Sequence, residues 1–179
     1  MNFIQKYNLN RHLKRFVKCK KKADVQVCSL EQASHVCIFH TFESSELLEQ
    51  ITKMSHSLKK DKKNVSIYCF IPKKKKVLPS DSEEVYFISE KDFDFKGCPR
   101  KEKLLSFQKQ PFDILFDLDK ETSLCSLYLT GKINAKFRIG RSENAKEHYN
   151  VILYSSSESY TFEEYFQFID KYTKKMVRQ

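Results

Sequence analysis

The sequence predicts an α/β domain of three layers, a mainly parallel open sheet covered by helices on both faces, preceded by a basic N-terminal helix. Three observations carry that expectation. Short apolar runs such as Val36–His40, Val65–Ile71 and Phe112–Leu118 recur along the chain, and segments of helical periodicity lie between them. Crossover helices bury both surfaces of parallel strands connected in this way. The third observation is charge. Lys6, Arg11, Lys14, Arg15, Lys18 and Lys20 to Lys22 meet no acidic residue in the first 22 positions, so most of the formal net charge of +10 sits at one end.

Met1 to Lys20 reads as a helix whose apolar stripe is Ile4, Leu9, Leu13, Phe16 and Val17, weakened in its middle by Asn8 and Asn10. Val36–His40 is a short strand. Ser44–Lys60 follows with Leu47, Leu48, Ile51, Met54 and Leu58 at helical spacing; Ser44 and Ser45 suit its cap and Glu46 its first turn. Val65–Ile71 is a second strand, stopped by Pro72 and Lys73 to Lys76, and Val85–Ile88 a third. Pro99–Phe107 suggests a short helix, Phe112–Leu118 a fourth strand, and Thr122–Leu129 a helix ending near Gly131. Lys136–Ile139 and Val151–Tyr154 are two further strands. A last helix from Thr161 to about Met176 places Phe162, Tyr165, Phe166, Ile169 and Tyr172 on one packing face. The strand order is not readable at this level.

A chain of 179 residues suffices for one sizeable core. The expected organisation is a basic amphipathic helix over 1–22 and a single α/β domain over 23–179. Fifteen Phe and nine Tyr argue against wholesale disorder, because burying them offsets the entropy of ordering the chain. No apolar run approaches the roughly 20 residues that span a bilayer, and Met1–Lys22 lacks a signal-peptide core, so a cytoplasmic location is expected, with peripheral attachment at the inner membrane face as an extension of it. Cys19, Cys28, Cys37, Cys69, Cys98 and Cys125 are scattered without a C-x-x-C pair. Buried or incidental thiols are therefore expected, with no metal site. Alternation along the first strand puts His40 on the face opposite His35 and Cys37, which argues against three ligands from that segment. The absence of G-x-G-x-x-G, P-loop and H-E-x-x-H patterns removes the strongest arguments for dinucleotide, nucleoside triphosphate or zinc-hydrolase chemistry. No cofactor and no catalytic residue is assigned.

The stretch Phe112-Asp113-Ile114-Leu115-Phe116-Asp117-Leu118, with Leu127, Ala135-Lys136-Phe137-Arg138-Ile139-Gly140 and Tyr149-Asn150-Val151-Ile152-Leu153, resembles a small uncharacterised family from Bacteroidetes. The same pattern is more distantly similar to the N-terminal, acceptor-side half of lipopolysaccharide heptosyltransferases. That resemblance implies a Rossmann-like sheet. In those enzymes a second domain holds most of the nucleotide-sugar donor, and a chain ending at Gln179 is expected to lack it, so the fold is implied more strongly than the reaction. The heptosyltransferase Gly-Asp turn falls at Thr41-Phe42-Glu43-Ser44-Ser45, where the glycine is absent and Glu43 alone suits the acidic role.

Ligands of open α/β sheets favour the crevice beyond the carboxyl ends of the strands, where helix N-termini also point. Glu43, Ser44, Ser45, Asp117, Asp119, Gly140, Arg141 and Ser155 are the candidate ligand-binding residues there. Asp117 and Asp119, two apart, suit a cation on one side of a strand end, or alternatively a helix approach capped by Asp119 or Thr122. Gly140 and Arg141 suit close approach and bidentate binding of an anion, or a plain turn with an exposed arginine. Ser155 lacks a sequence-defined base, so ordinary loop chemistry competes there.

The basic end gives a second candidate surface: Arg11, Lys14, Arg15, Phe16, Lys18, Lys20, Lys21 and Lys22. Its leading reading is a non-catalytic binding or assembly protein. In that reading the helix packs on its own domain or a second subunit with its lysines facing water, or meets a protein partner or an anionic membrane surface that Phe3, Ile4, Leu13 and Phe16 enter. Nucleic acid is an alternative, with Lys59–Lys63 and Lys73–Lys76 as further phosphate contacts. An enzyme or degenerate glycosyltransferase-like protein acting on a phosphorylated or sugar-linked anion is another.

Overall fold

A computed structural model describes residues 1–20, 25–73, 84–100, 111–153 and 162–177. Helix α1 (Phe3–Lys20) precedes β1 (His35–Thr41), α2 (Ser45–Lys60), β2 (Asn64–Ile71), β3 (Val85–Ser89), β4 (Phe112–Asp117), α3 (Leu124–Lys132), β5 (Ala135–Gly140), β6 (Val151–Ile152) and α4 (Phe162–Val177). All six strands are parallel, in the order β3-β2-β1-β4-β5-β6. The chain thus winds outwards from β1 to one edge and then from β4 to the other, which makes the β1/β4 boundary the topological switch point.

Side chains alternate across each strand, and the two faces have separate cores. Val36, Ile38, Ile67, Ile114, Phe116, Phe137 and Ile139 form one face, under Ile51 and Leu58 of α2 and Tyr165, Phe166 and Ile169 of α4. Cys37, Phe39, Tyr68, Phe70 and Leu115 form the other, under Cys125, Tyr128 and Leu129 of α3 and Leu9 of α1. Ser44 caps α2 by accepting the Leu47 N–H at 3.2 Å. The cap of α3 is Ser123, which accepts the Ser126 N–H while the Ser126 hydroxyl takes the Ser123 N–H. Neither Asp119 nor Thr122 serves there, because the helix begins two residues later than its apolar spacing suggested and runs through Gly131.

Two apolar stripes differ from the sequence reading. In α4 the buried face turns through Tyr165, Phe166 and Ile169 to Thr173, whose hydroxyl accepts the Leu30 N–H, while Tyr172 is exposed and packs on Phe168. In α1, Leu9 and Leu13 are buried and Ile4 is exposed. The expected strand Val151–Tyr154 is ordered as β6 over two residues. The helix expected at Pro99–Phe107 falls mostly outside the described residues.

Candidate functional site

Beyond the carboxyl ends of β1 and β4, Asp119 closes the switch point. Its carboxylate accepts the Thr41 N–H at 2.5 Å and the Thr41 hydroxyl at 2.6 Å. The side chain thereby takes the place of a strand carbonyl, one step past the Leu118 N–H to Phe39 carbonyl bond of 2.9 Å. Asp117 is equally enclosed: it accepts the Asp119 N–H at 3.1 Å and the Tyr149 hydroxyl at 2.6 Å. All four carboxylate oxygens of the pair therefore have partners within the protein. Burial raises the pKa of Asp119 to about 6, opposed by the two Thr41 donors and assisted by the charge of Glu43. Burial and the neighbouring Asp119 charge push Asp117 well up, against the pull of Tyr149, the Asp119 N–H and Arg138.

Gly140 ends β5 beneath the Tyr149 ring, and a Cβ there would lie 2.5 Å from a ring carbon. The missing side chain thus admits an aromatic ring of the protein itself. The Arg141 guanidinium sits 4.4 Å from the centre of the Tyr165 ring, a cation–π arrangement. Ser44 is spent on the α2 cap, Ser45 and Glu43 are exposed, and Ser155 lies outside the described residues. The structure gathers Asp117, Asp119 and Gly140 around Tyr149 and Thr41. Among the described residues no group of three or more His, Cys, Asp or Glu side chains is placed to hold a metal ion.

Arg138 is a central residue that sequence reasoning missed. It lies in β5 with 6% of its surface exposed, and its guanidinium donates to the Thr130 carbonyl at 2.8 Å and to the Ile133 carbonyl. These are carbonyls at the C-terminal end of α3, where the helix dipole favours a cation. Burial lowers its pKa to about 10, so it stays charged at neutral pH. Its signal was present as a charged residue set between Phe137 and Ile139, two positions after Lys136, in the strand segment Ala135–Gly140. The six cysteines are all free, and burial raises the thiol pKa of Cys37, Cys69 and, to about 11, Cys125. None of these three has thiolate character.

The basic helix presents two faces. Leu9 and Leu13 enter the domain, and Phe16 stacks on His148 at 5.7 Å with the Arg138 guanidinium 4.8 Å from its ring centre. Lys20 donates to the carbonyls of Glu147 and Tyr149. The opposite face is solvent-facing: Phe3 (83% exposed), Ile4 (55%) and Tyr7 (61%) in its first half, then Arg11, Lys14, Arg15 and Lys18. Gln5 and Asn8 donate to the carbonyls of Asp94 and Lys96, which brings Phe95, 67% exposed, beside the apolar half. Lys21 and Lys22 fall outside the described residues, as do Lys74 to Lys76. Lys59 pairs with Glu84, and Lys63 donates to the Glu31 and Ala33 carbonyls. Among the described residues no helix is long and apolar enough to cross a membrane.

Among the clefts of the described residues, two lie between helices. One, of about 960 Å³, separates α2 from α4 over Leu30, Met54, Leu58 and Phe166. The other, of about 470 Å³, lies between α1 and α3.

An all-parallel six-stranded sheet in this order, with helices on both faces, defines a Rossmann-like α/β protein. The chain belongs to a family of unknown function (DUF6913), which matches residues 2–176. No curated protein matches it. Among solved structures it is similar to E. coli heptosyltransferase WaaC with ADP, at 14% identity and a TM-score of 0.50. That match covers 76% of this chain and 46% of the heptosyltransferase, so the chain spans about half of that protein's length. At this identity the likeness is one of fold.

Proposed function

We propose that this protein is a non-catalytic α/β module that docks on an anionic membrane surface through the outward face of α1. The observation that carries the reading is the continuity of that face, on which Phe3, Ile4 and Tyr7 stand exposed in line with Arg11, Lys14, Arg15 and Lys18, with Phe95 alongside. A contiguous exposed apolar patch is a feature that monomeric proteins rarely carry without a partner. Its pairing with a basic stripe on one helix matches the chemistry of interfacial helices, in which rings enter the headgroup boundary and lysine and arginine meet lipid phosphates. Of the four residues expected to insert, the reading keeps Phe3 and Ile4, adds Tyr7, and gives up Leu13, which is buried, and Phe16, which packs on His148. The closed switch point favours a binding role over chemistry, since the carboxylates best placed for a ligand are bonded to Thr41 and Tyr149.

Flotation with anionic and neutral vesicles, over a range of salt and with RNA as competitor, tests it. The intact chain should float with anionic vesicles at low salt. Phe3→Ser with Tyr7→Ser should lose most of that binding, and Arg11→Gln with Arg15→Gln should weaken it by about thirtyfold, at roughly 1 kcal/mol per basic residue. Binding that survives the first pair and yields to RNA would assign the surface to nucleic acid instead. A chain that ignores anionic vesicles at low salt sinks the membrane reading and leaves the same face to a protein partner.

A further inference from the structure

The cleft between α1 and α3 has a composition that neither the core nor the outer face of α1 requires. Its floor is aliphatic, made by Leu13 and Val17 of α1 and by Leu124 and Leu127 of α3. Its mouth is polar and cationic, with Lys14 and Lys18 against one carboxylate, Glu147. His148 also lines it, held by its stack on Phe16. A volume of about 470 Å³ falls within the range of small-molecule sites, roughly 300–1,000 Å³. Lys14 and Lys18 belong both to this mouth and to the outward stripe of α1, so the cleft opens onto the edge of the surface proposed to meet the membrane.

We infer that this cleft takes a single anionic glycerophospholipid, its phosphate between Lys14 and Lys18 and the first part of an acyl chain over Leu13, Val17, Leu124 and Leu127, with the His148 ring at its side. This rests on the membrane reading and adds a site to it: α1 lies on the bilayer and one lipid seats behind it. A free phosphate would gain nothing from four aliphatic side chains, and a neutral lipid would leave the two lysines unmatched. An amphiphile with one anionic head satisfies both halves of the cleft.

The test uses the full chain and short-chain lipids below their micelle concentration, so that no bilayer takes part. Dihexanoyl phosphatidylglycerol, dihexanoyl phosphatidylcholine and glycerol 3-phosphate are titrated while the His148 ring and Leu127 methyl resonances are followed by NMR. The phosphatidylglycerol should shift both sets of signals and bind at least about tenfold more tightly than the other two. Lys14→Gln with Lys18→Gln, and separately Leu127→Asn, should each lower that affinity by about tenfold, while remote methyl signals confirm the fold. Equal binding of glycerol 3-phosphate, equal binding of the choline lipid, or an unchanged Leu127→Asn variant overturns the inference. If the short lipid fails to bind while the intact chain still floats with anionic vesicles, the cleft site is wrong and the surface reading stands. Failure of both removes the two together.

Discussion

Two buried groups at the carboxyl end of β1 and β4 titrate in opposite senses. Burial lowers His40 to about 4 against the weaker pull of the Thr41 carbonyl, and raises Asp119 to about 6 despite its two Thr41 donors. The unfolded imidazole takes its proton near 6.5, so the contribution of His40 is complete above that value and is lost as the pH falls towards 4. The unfolded carboxyl gives up its proton near 3.8, so the contribution of Asp119 is complete below that value and is lost as the pH rises through about 6. Between about 4 and 6 the two slopes oppose one another, which flattens the native profile. His40→Met should therefore melt at temperatures that fall, relative to the native chain, as the pH rises from 4 to 6, and Asp119→Asn at temperatures that rise. Thermal melts across that window decide the matter; if the two variants shift in parallel, the charge assignment at the switch point is wrong.

At the level of elements, α1 is a helix of divided loyalty, and reading its apolar residues as one stripe conceals the division. The apolar residues Ile4, Leu9, Leu13 and Phe16 read as one stripe, but at 100° per residue Leu9, Leu13 and Phe16 cluster on one side, whereas Ile4 lies opposite with Phe3 and Tyr7. The packing against α3 makes the choice. Leu9→Ala should cost about 2–5 kcal/mol by opening a cavity at a fully buried position, whereas Phe3→Ser should change stability by no more than about 0.5 kcal/mol. Urea denaturation separates these outcomes, and comparable costs at both sites would place α1 differently. The remaining elements were largely legible, since apolar runs and helical periodicity locate each of β1 to β6 and α1 to α4 within a few residues, although the short 3-10 turn Glu143–His148 falls where a loop was expected. The exceptions have local causes. The serine pair Ser123 and Ser126 starts α3 later than its hydrophobic spacing implies, and Thr173 replaces Tyr172 on the inner face of α4 because its small hydroxyl reaches the Leu30 N–H. The switch-point carboxylates were found from their position at a strand end, but their partners were not. Nothing in the spacing of Thr41, Tyr149 and Arg138 announces that they meet Asp117, Asp119 and the end of α3; the sheet order 3-2-1-4-5-6 brings them together, and that order is a product of tertiary packing.

In the whole molecule, α1 is both an outer surface and part of the lid over one sheet face, and this governs how its role can be probed. Its inner side covers Phe39, Leu115 and Tyr128 through Leu9, and its Phe16 ring lies over the buried charge of Arg138. Fully burying a leucine side chain contributes about 1.5–3 kcal/mol, so Leu9 and Leu13, helped by the partly buried Phe16, supply an amount comparable with the lower end of the net stability of a small domain, roughly 5–15 kcal/mol. Deleting residues 1–22 would therefore strip apolar cover from the α3 side of the sheet and expose Arg138 at the same stroke, while leaving the α2 and α4 side intact. The truncated chain should keep its far-ultraviolet signature of strands and helices, bind a hydrophobic dye, and melt well below the native protein. Any loss of vesicle binding in that form would report damage to the domain as much as loss of the docking face. Point substitutions at Phe3, Tyr7, Arg11 and Arg15 avoid the ambiguity, because these side chains touch the solvent rather than the sheet. A truncated chain that melts with the native one and ignores the dye would show that α1 is not part of the core, and the division between its inner and outer faces would fall with that result.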